Sequence, residues 1–474
     1  MSILAKRKNM DMINGPLLGK IIAFSVPIIL TNLLQVLYNA ADMMVVSLSS
    51  EPDAVGAIGT TTALTNLIVN IFVGFSTGAN VVVARHIGAK EREGASRAVH
   101  TAIAMSLIFG LASALIGILL SRPILALMGV SGKLLTLATL YTRIYFLGVP
   151  FVALTNYTAS ILRAKGDAQT PLVVLALAGL LNVFSNLLFV LGFGMSVEGV
   201  ALATALSNVI SAALLLWRLH RDPGECHFSP RRLGIDKKSF LSILHVGLPT
   251  GIQSSLFSVS NILIQSSVLR LNDIMCPGAT DFAPVVKGNA TSQNLGTFVS
   301  TANNAFVQAA ITFTSQNVGA KKPRRVMRVL LLCNGLSLIF STLFPLTIFL
   351  LRDPLFALYG VQKGAEGSLD RIAYEIAQLR TALVALPFAT AGFMEICSGV
   401  AKGLGKAVSS TVITLIGTCA LRVAWIYTVF RAFETPLSLY ICYPVTWLLT
   451  GTVQCILVLL TIRHAVRQSE RATV

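Results

Sequence analysis

Residues 98–121 read AVHTAIAMSLIFGLASALIGILLS, a stretch without one Asp, Glu, Lys or Arg. A helix needs about 20 mostly apolar residues to cross the hydrocarbon of a bilayer, so this stretch alone predicts a membrane span. Working outward, comparable runs occur near 19–47, 58–84, 138–161, 171–192 and 197–217. They resume near 241–269, 291–314, 327–351, 376–400, 408–430 and 437–462. The expected fold is an all-α membrane protein of twelve transmembrane helices, six on each side of a polar stretch from Arg218 to Ser239. Composition agrees, at 54% hydrophobic and 12% charged. A water-soluble surface carries about twice that share of charge. The first run is too long for a signal peptide and lacks a small-residue cleavage site, so it is expected to stay as a span.

The formal charge of +17 could suggest nucleic acid, but its distribution excludes that class. The basic residues stand in short clusters between apolar runs, where they meet anionic headgroups. One alternate set of loops holds 25 Lys and Arg, among them Lys6, Arg7, Lys8, Arg85, Lys90, Lys321 and Lys322, and the other set holds 8. By the positive-inside rule both termini and the central stretch are expected in the cytoplasm. The seven cysteines form no CxxC pattern and five lie in apolar runs, so neither a disulfide framework nor a zinc site is expected. His220, Cys226 and His227 in the central stretch match no zinc spacing, and its Pro and basic residues suit a lipid-facing tether.

The two halves repeat. Arg85-His-Ile-Gly-Ala-Lys90 is answered by Gln316-Asn-Val-Gly-Ala-Lys321, and Ile124-Leu-Ala-Leu-Met-Gly-Val130 by Leu355-Phe-Ala-Leu-Tyr-Gly-Val361, at one common offset. Arg163-Ala-Lys-Gly166 answers Lys402-Gly-Leu-Gly405, and the pairs Pro27/Asn39 and Pro249/Asn261 share their spacing. The expected organisation is an N-terminal six-span bundle over 1–217, a cytoplasmic linker over 218–239 and a C-terminal bundle over 240–474. An even number of spans per repeat implies a pseudo-two-fold axis along the membrane normal and a cavity enclosed by the repeats.

Taken in order, Tyr38-Asn-Ala-Ala-Asp42, Gly88-Ala-Lys90, Leu162-Arg-Ala-Lys-Gly-Asp167, Thr170-Pro171 and Asn182 resemble the multidrug and toxic compound extrusion (MATE) antiporters. Gln316–Lys321 and Gly399-Val-Ala-Lys-Gly-Leu-Gly405 carry the resemblance into the second half. It implies a secondary transporter in the inner membrane of a bacterium, exporting lipophilic or cationic small molecules by alternating access. It also implies antiport of H+ or Na+, no cofactor, no nucleic-acid partner, and a monomer surrounded by membrane lipid.

Asp42 and Glu395 are the two carboxylates well inside apolar runs. Burying a carboxylate in a span is costly, and such residues usually face a cavity. Asp42 suits a titrating coupling group, with snorkelling to water from the span's outer end as the alternative. By resemblance its polar surroundings are Asn156, Asn182, Asn186 and Thr204, where interhelical hydrogen bonding is the plain alternative. Family members often carry a second Asp at the Asn186 position, so coupling here falls on Asp42 alone. Phe257 and Ala391 stand where the sodium-coupled branch has carboxylates.

Glu395 is either an anionic spot for lipophilic cations or a residue snorkelling to the cytoplasm. Gln35, Tyr38, Asn39, Gln253, Asn261 and Gln265 are candidate cavity residues, or helix–helix contacts. Pro27, Pro150, Pro249 and Pro387 remove backbone bonds and kink spans, as static kinks or as hinges. No HExxH, GxSxG or Walker motif supports an enzyme. A lipid-linked saccharide flippase of the same superfamily is the competing transport reading. It is disfavoured because the intramembrane charge looks largely carboxylate.

Overall fold

The computed structural model describes residues 10–49, 51, 53–278 and 283–471. Lys6, Arg7 and Lys8 lie outside the described residues. Twelve long helices account for most of the rest, and no strand occurs among the described residues. The first six are α1 (Leu17–Val46), α2 (Ala54–Gly88), α3 (Arg92–Leu127), α4 (Gly132–Ala164), α5 (Gln169–Gly192) and α6 (Val197–His220). After the linker come α7 (Lys237–Met275), α8 (Pro284–Gly319) and α9 (Pro323–Leu350). The last three are α10 (Leu369–Gly403), α11 (Ala407–Phe433) and α12 (Pro436–Arg471). Every run read from the sequence is a helix, and most helices extend a turn or more beyond their apolar run. Among the described residues, eleven helices are long and apolar enough to cross a membrane. The exception is α8, whose interior carries Asn289, Ser292, Asn303 and Asn304 among apolar neighbours.

Packing follows the logic of helices in lipid, where small residues permit close approach and large apolar ones face outward. On α3, Leu111, Leu115 and Leu119 are at least 60% exposed, while Gly110, Ala114 and Gly117 are buried. A Cβ at Gly110 would lie 2.7 Å from Pro150 Cα, and one at Gly117 would lie 1.9 Å from the Phe146 ring. Those glycines let α3 seat directly against α4.

Contacts divide the chain into two compact units. The first contains residues up to Ile252 together with Ser315–Lys321; the second contains Gln253–Thr314 and the chain from Lys322 on. The sequence repeat is also a backbone repeat. Lys90 (φ 59°) and Lys321 (φ 54°) are both left-handed, as are Gly129 and Gly360, and Gly166 and Gly405. In the first unit the two matched motifs pack against each other. A Cβ on Gly88 would fall 2.0 Å from the Gln316 carbonyl oxygen, and one on Gly319 would fall 2.0 Å from that of Arg85. The side-chain amide of Gln316 also donates to Ala164 O at 2.7 Å.

The linker is pinned to the helices of the first unit. Ser229 N donates to His100 Nε2 at 3.1 Å, and Asp236 N donates to Thr101 Oγ1 at 3.0 Å. His220 Nδ1 bonds Phe228 O at 2.7 Å, and the His220 and His227 rings lie 5.5 Å apart. Lys165 pairs with Asp222, both buried, and Cys226 is fully buried. Polar side chains of α3, and Lys165 just past the end of α4, hold the segment. Asp236 then caps α7, and bonds from Ser239 N and Oγ hold its carboxyl below the usual range.

Candidate functional site

The candidate site of the first unit is built from three helices. α1 carries Asp42, α6 carries Thr204, and α5 carries Asn182 and Asn186, whose four-residue spacing puts both on one face. Asn186 Nδ2 donates to Asp42 Oδ1 at 2.5 Å and to Asn182 Oδ1 at 3.2 Å. Asn182 Nδ2 in turn donates to Thr204 Oγ1 at 3.4 Å. Both asparagines are buried, and Asn186 Oδ1 has no hydrogen-bond partner. The result is a neutral polar chain ending on one half-buried carboxylate, which can accept a proton or a small cation. Directly after Asn186 and Leu187, α5 loosens into a π-helical turn, Leu188–Gly192. Such turns recur at functional positions.

Asn156 stands apart from this chain, since its Nδ2 bonds Val152 O of its own helix at 2.9 Å. Two residues missed in the sequence stand nearby. Tyr141 and Tyr145 of α4 stack at 6.2 Å between ring centres and lie within electrostatic reach of Asp42. Tyrosines four apart on a span are a visible signal, but nothing in the sequence says which helix they face.

The candidate cavity residues separate into bonded and free. The Tyr38 hydroxyl donates to Ala176 O at 3.2 Å, and its ring occupies the space that a Cβ on Gly179 would need. Gln35 and Asn39 are exposed on α1. In the second unit Gln253 Oε1 accepts from Thr411 at 3.4 Å and Gln265 Oε1 accepts from Asn289 at 3.4 Å, while Asn261 is exposed. Glu395 Oε2 accepts from Asn303 Nδ2 at 2.9 Å, and Asn303 Oδ1 accepts from Ser337 at 2.6 Å. A Cβ at Gly392 would lie 2.4 Å from Ser337 Oγ, so the glycine makes room for that network. Pro27, Pro150 and Pro249 lie inside unbroken helices. Pro387 instead separates the π-helical Thr381–Ala385 from the α-helical Phe388–Gly403, a clear break in α10.

One expectation is overturned. The intramembrane charge is not largely carboxylate, because Arg380 and Arg422 are both buried within helices of the second unit. Counting only carboxylates in apolar runs passed over them.

The MatE family profile matches residues 27–188 and 249–428. Among curated relatives, Probable multidrug resistance protein YoeA of Bacillus subtilis is 26% identical over 71% of this chain and 72% of its own. A FAD transporter of Shewanella oneidensis is 24% identical over 65% of this chain and 67% of its own. Multidrug export protein MepA of Staphylococcus aureus is 24% identical over 53% of this chain and 55% of its own. Solved structures share the fold. An outward-facing multidrug resistance MATE family transporter superposes with a TM-score of 0.86 at 20% identity, covering 97% of this chain and 100% of that one. A MOP superfamily transporter from Pyrococcus furiosus gives 0.85 at 20% identity, covering 97% and 99%. With both repeats matched by the profile and the whole fold matched by MATE transporters, this multi-pass membrane chain belongs to the MatE family.

Proposed function

We propose that the protein exports small lipophilic or cationic organic compounds by alternating access, in exchange for H+ or Na+, with Asp42 as the coupling group. The observation that carries this reading is the single carboxylate of α1 at the end of the Asn186–Asn182–Thr204 chain. Neither asparagine can take up a proton, so charge in this chain changes only at Asp42. An ion bound there alters the hydrogen bonds of three helices at once, which is how a small ligand biases one state over another. Both termini and the linker belong to the cytoplasmic side by their basic residues. In the second unit Gln253, Gln265 and Glu395 contribute contacts to the compound, and Pro387 is the first candidate hinge because the helix is broken there. The multidrug names of several relatives support this substrate class, and the FAD transporter extends it to anions.

The test is uptake of rhodamine 123 into inside-out vesicles, driven separately by a pH gradient and by a sodium gradient. Asp42→Asn is expected to insert and fold yet lose gradient-driven uptake. Wild-type accumulation by the Asn variant would remove Asp42 from coupling. A lipid-linked saccharide flippase is the second reading, and Arg380 and Arg422 favour it by giving this membrane interior a cationic side. Scramblase-type uptake with no gradient dependence would decide for it.

A further inference from the structure

Among the described residues of the second unit, two buried guanidinium groups have no carboxylate partner. Arg422 of α11 is 2% exposed and Arg380 of α10 is 7% exposed. Neither forms an ion pair among the described residues, although Arg270, Arg352 and Arg371 of the same unit do. Arg422 Nε donates to Thr446 Oγ1 at 3.2 Å, and its Nη2 is buried without a partner. Its guanidinium carbon stands 4.5 Å from the Tyr443 ring centre and 5.6 Å from that of Trp447. Arg380 Nη1 reaches Ser292 Oγ at a long 3.4 Å, and its Nε has no partner. The other polar groups close by are neutral. Thr381 donates to Ser292, and Tyr440, within electrostatic reach of Arg380, donates to Asn289.

Aromatic faces offset part of the cost of burying Arg422, but among the described residues no such ring supports Arg380. A buried cation in a span that lacks an anion is costly, and such residues mark the path of a charged substrate or its counter-ion. The backbone is irregular at both positions. Arg380 immediately precedes the π-helical Thr381–Ala385, and Arg422 lies in a short α-helical piece flanked by the π-helical Leu415–Ala420 and Ile426–Phe430.

We infer that the two buried guanidinium groups of the second unit, Arg422 and Arg380, are anion-binding groups, which take the carboxylate, sulfonate or phosphate head of an amphipathic compound. This deepens the export reading and rests on it for transport, though not for binding. The planar fork of Arg suits each of these heads through paired hydrogen bonds.

The experiment uses two xanthene dyes of nearly equal shape and opposite charge, fluorescein (anionic) and rhodamine 123 (cationic). Binding to the full chain in phosphatidylcholine nanodiscs is read by fluorescence anisotropy, and uptake is read in vesicles. Wild type is expected to bind fluorescein saturably. Arg422→Gln and Arg380→Gln should each lower the fluorescein-to-rhodamine affinity ratio by about tenfold or more, with Arg422→Lys recovering part of it. In nanodiscs containing phosphatidylglycerol, competition with fluorescein that disappears in Arg422→Gln would make lipid the source of the head group and uphold the site. No fluorescein binding by wild type that binds rhodamine 123 would overturn the inference, and so would an unchanged ratio in both Gln variants. Should fluorescein bind while neither dye is moved by any gradient, the export reading fails and the anion site stands.

Discussion

Gly88 and Gly319 occupy equivalent places in the two repeats, and each faces the backbone carbonyl of the other motif. A Cβ at either would stand 2.0 Å from that oxygen, about 1 Å closer than real Cβ atoms come. The obstacle is backbone rather than a flexible side chain, so the helix ends must part for Gly88→Ala to fit. Overpacking of this kind costs about 1–3 kcal/mol. Alanine also favours a helix over glycine by up to about 1 kcal/mol, which masks part of the clash. Gly59 of the same helix supplies the correction, because nothing lies within 4 Å of a Cβ there. The difference between Gly88→Ala and Gly59→Ala should therefore be about 1–3 kcal/mol. In melting temperature that is a gap of about 3–9 °C, at about 3 °C per kcal/mol for a unit of this size. Cys226 is the one cysteine of the first unit and is fully buried, so a thiol-reactive fluorophore reads its unfolding. Gly319→Ala should behave as Gly88→Ala does, and the double variant should cost less than the sum, since parting the helix ends once relieves both contacts. If Gly88→Ala melts with Gly59→Ala, the close approach is not there and the packing argument fails.

Removing Lys165 leaves Asp222 buried and uncompensated, so Lys165→Ala should destabilise the first unit by about 3–5 kcal/mol. A Lys165→Leu/Asp222→Leu pair should recover most of that loss in the same thiol assay. His220→Ala with His227→Ala should lower thermal stability through the lost bond to Phe228 O and leave transport in place; a transport loss rescued by added zinc would show that the histidines hold metal. Asp236 has its folded pKa depressed by Ser239, so its contribution is present above the unfolded carboxylate value and lost as pH falls through the folded one. Asp236→Asn should accordingly flatten the acid side of the stability–pH curve, as followed by thermal melts from neutral to acidic pH.

The helices were legible because a run long enough to span lipid is a statement about length and composition, both of which a sequence displays. Their ends were less so. Arg92 and Lys237 begin helices that continue past the apolar stretch, since polar helical turns outside the hydrocarbon leave no hydropathy signal. The Asp42–Asn186 contact was legible through resemblance, whereas Asn156, brought in by the same resemblance, bonds its own helix at Val152 O. Tyr141, Tyr145 and Asn303 were out of reach, because periodicity gives a face without naming the neighbour. Arg380 and Arg422 were readable and overlooked: they fall inside predicted spans, so a tally of loop charges never meets them. The linker's attachments include single hydrogen bonds to His100 and Thr101, and two such residues on a span carry no sign of what they will hold.

The polarity of α8 bears on how the chain is made. A segment leaving the ribosome stays in the bilayer when its own transfer from water is favourable, and each polar residue near the middle works against that. With Asn289, Ser292, Asn303 and Asn304 in its length, α8 is the described long helix least suited to partition alone. The groups that satisfy it come from both sides in synthesis: Gln265 on α7 precedes it, while Ser337 on α9 and Glu395 on α10 follow. Integration of this helix is therefore expected to be collective, with α8 held in the bilayer only once later helices complete its hydrogen bonds. A ribosome stalled after α8 should leave that segment extractable by alkali, and one stalled after α10 should not.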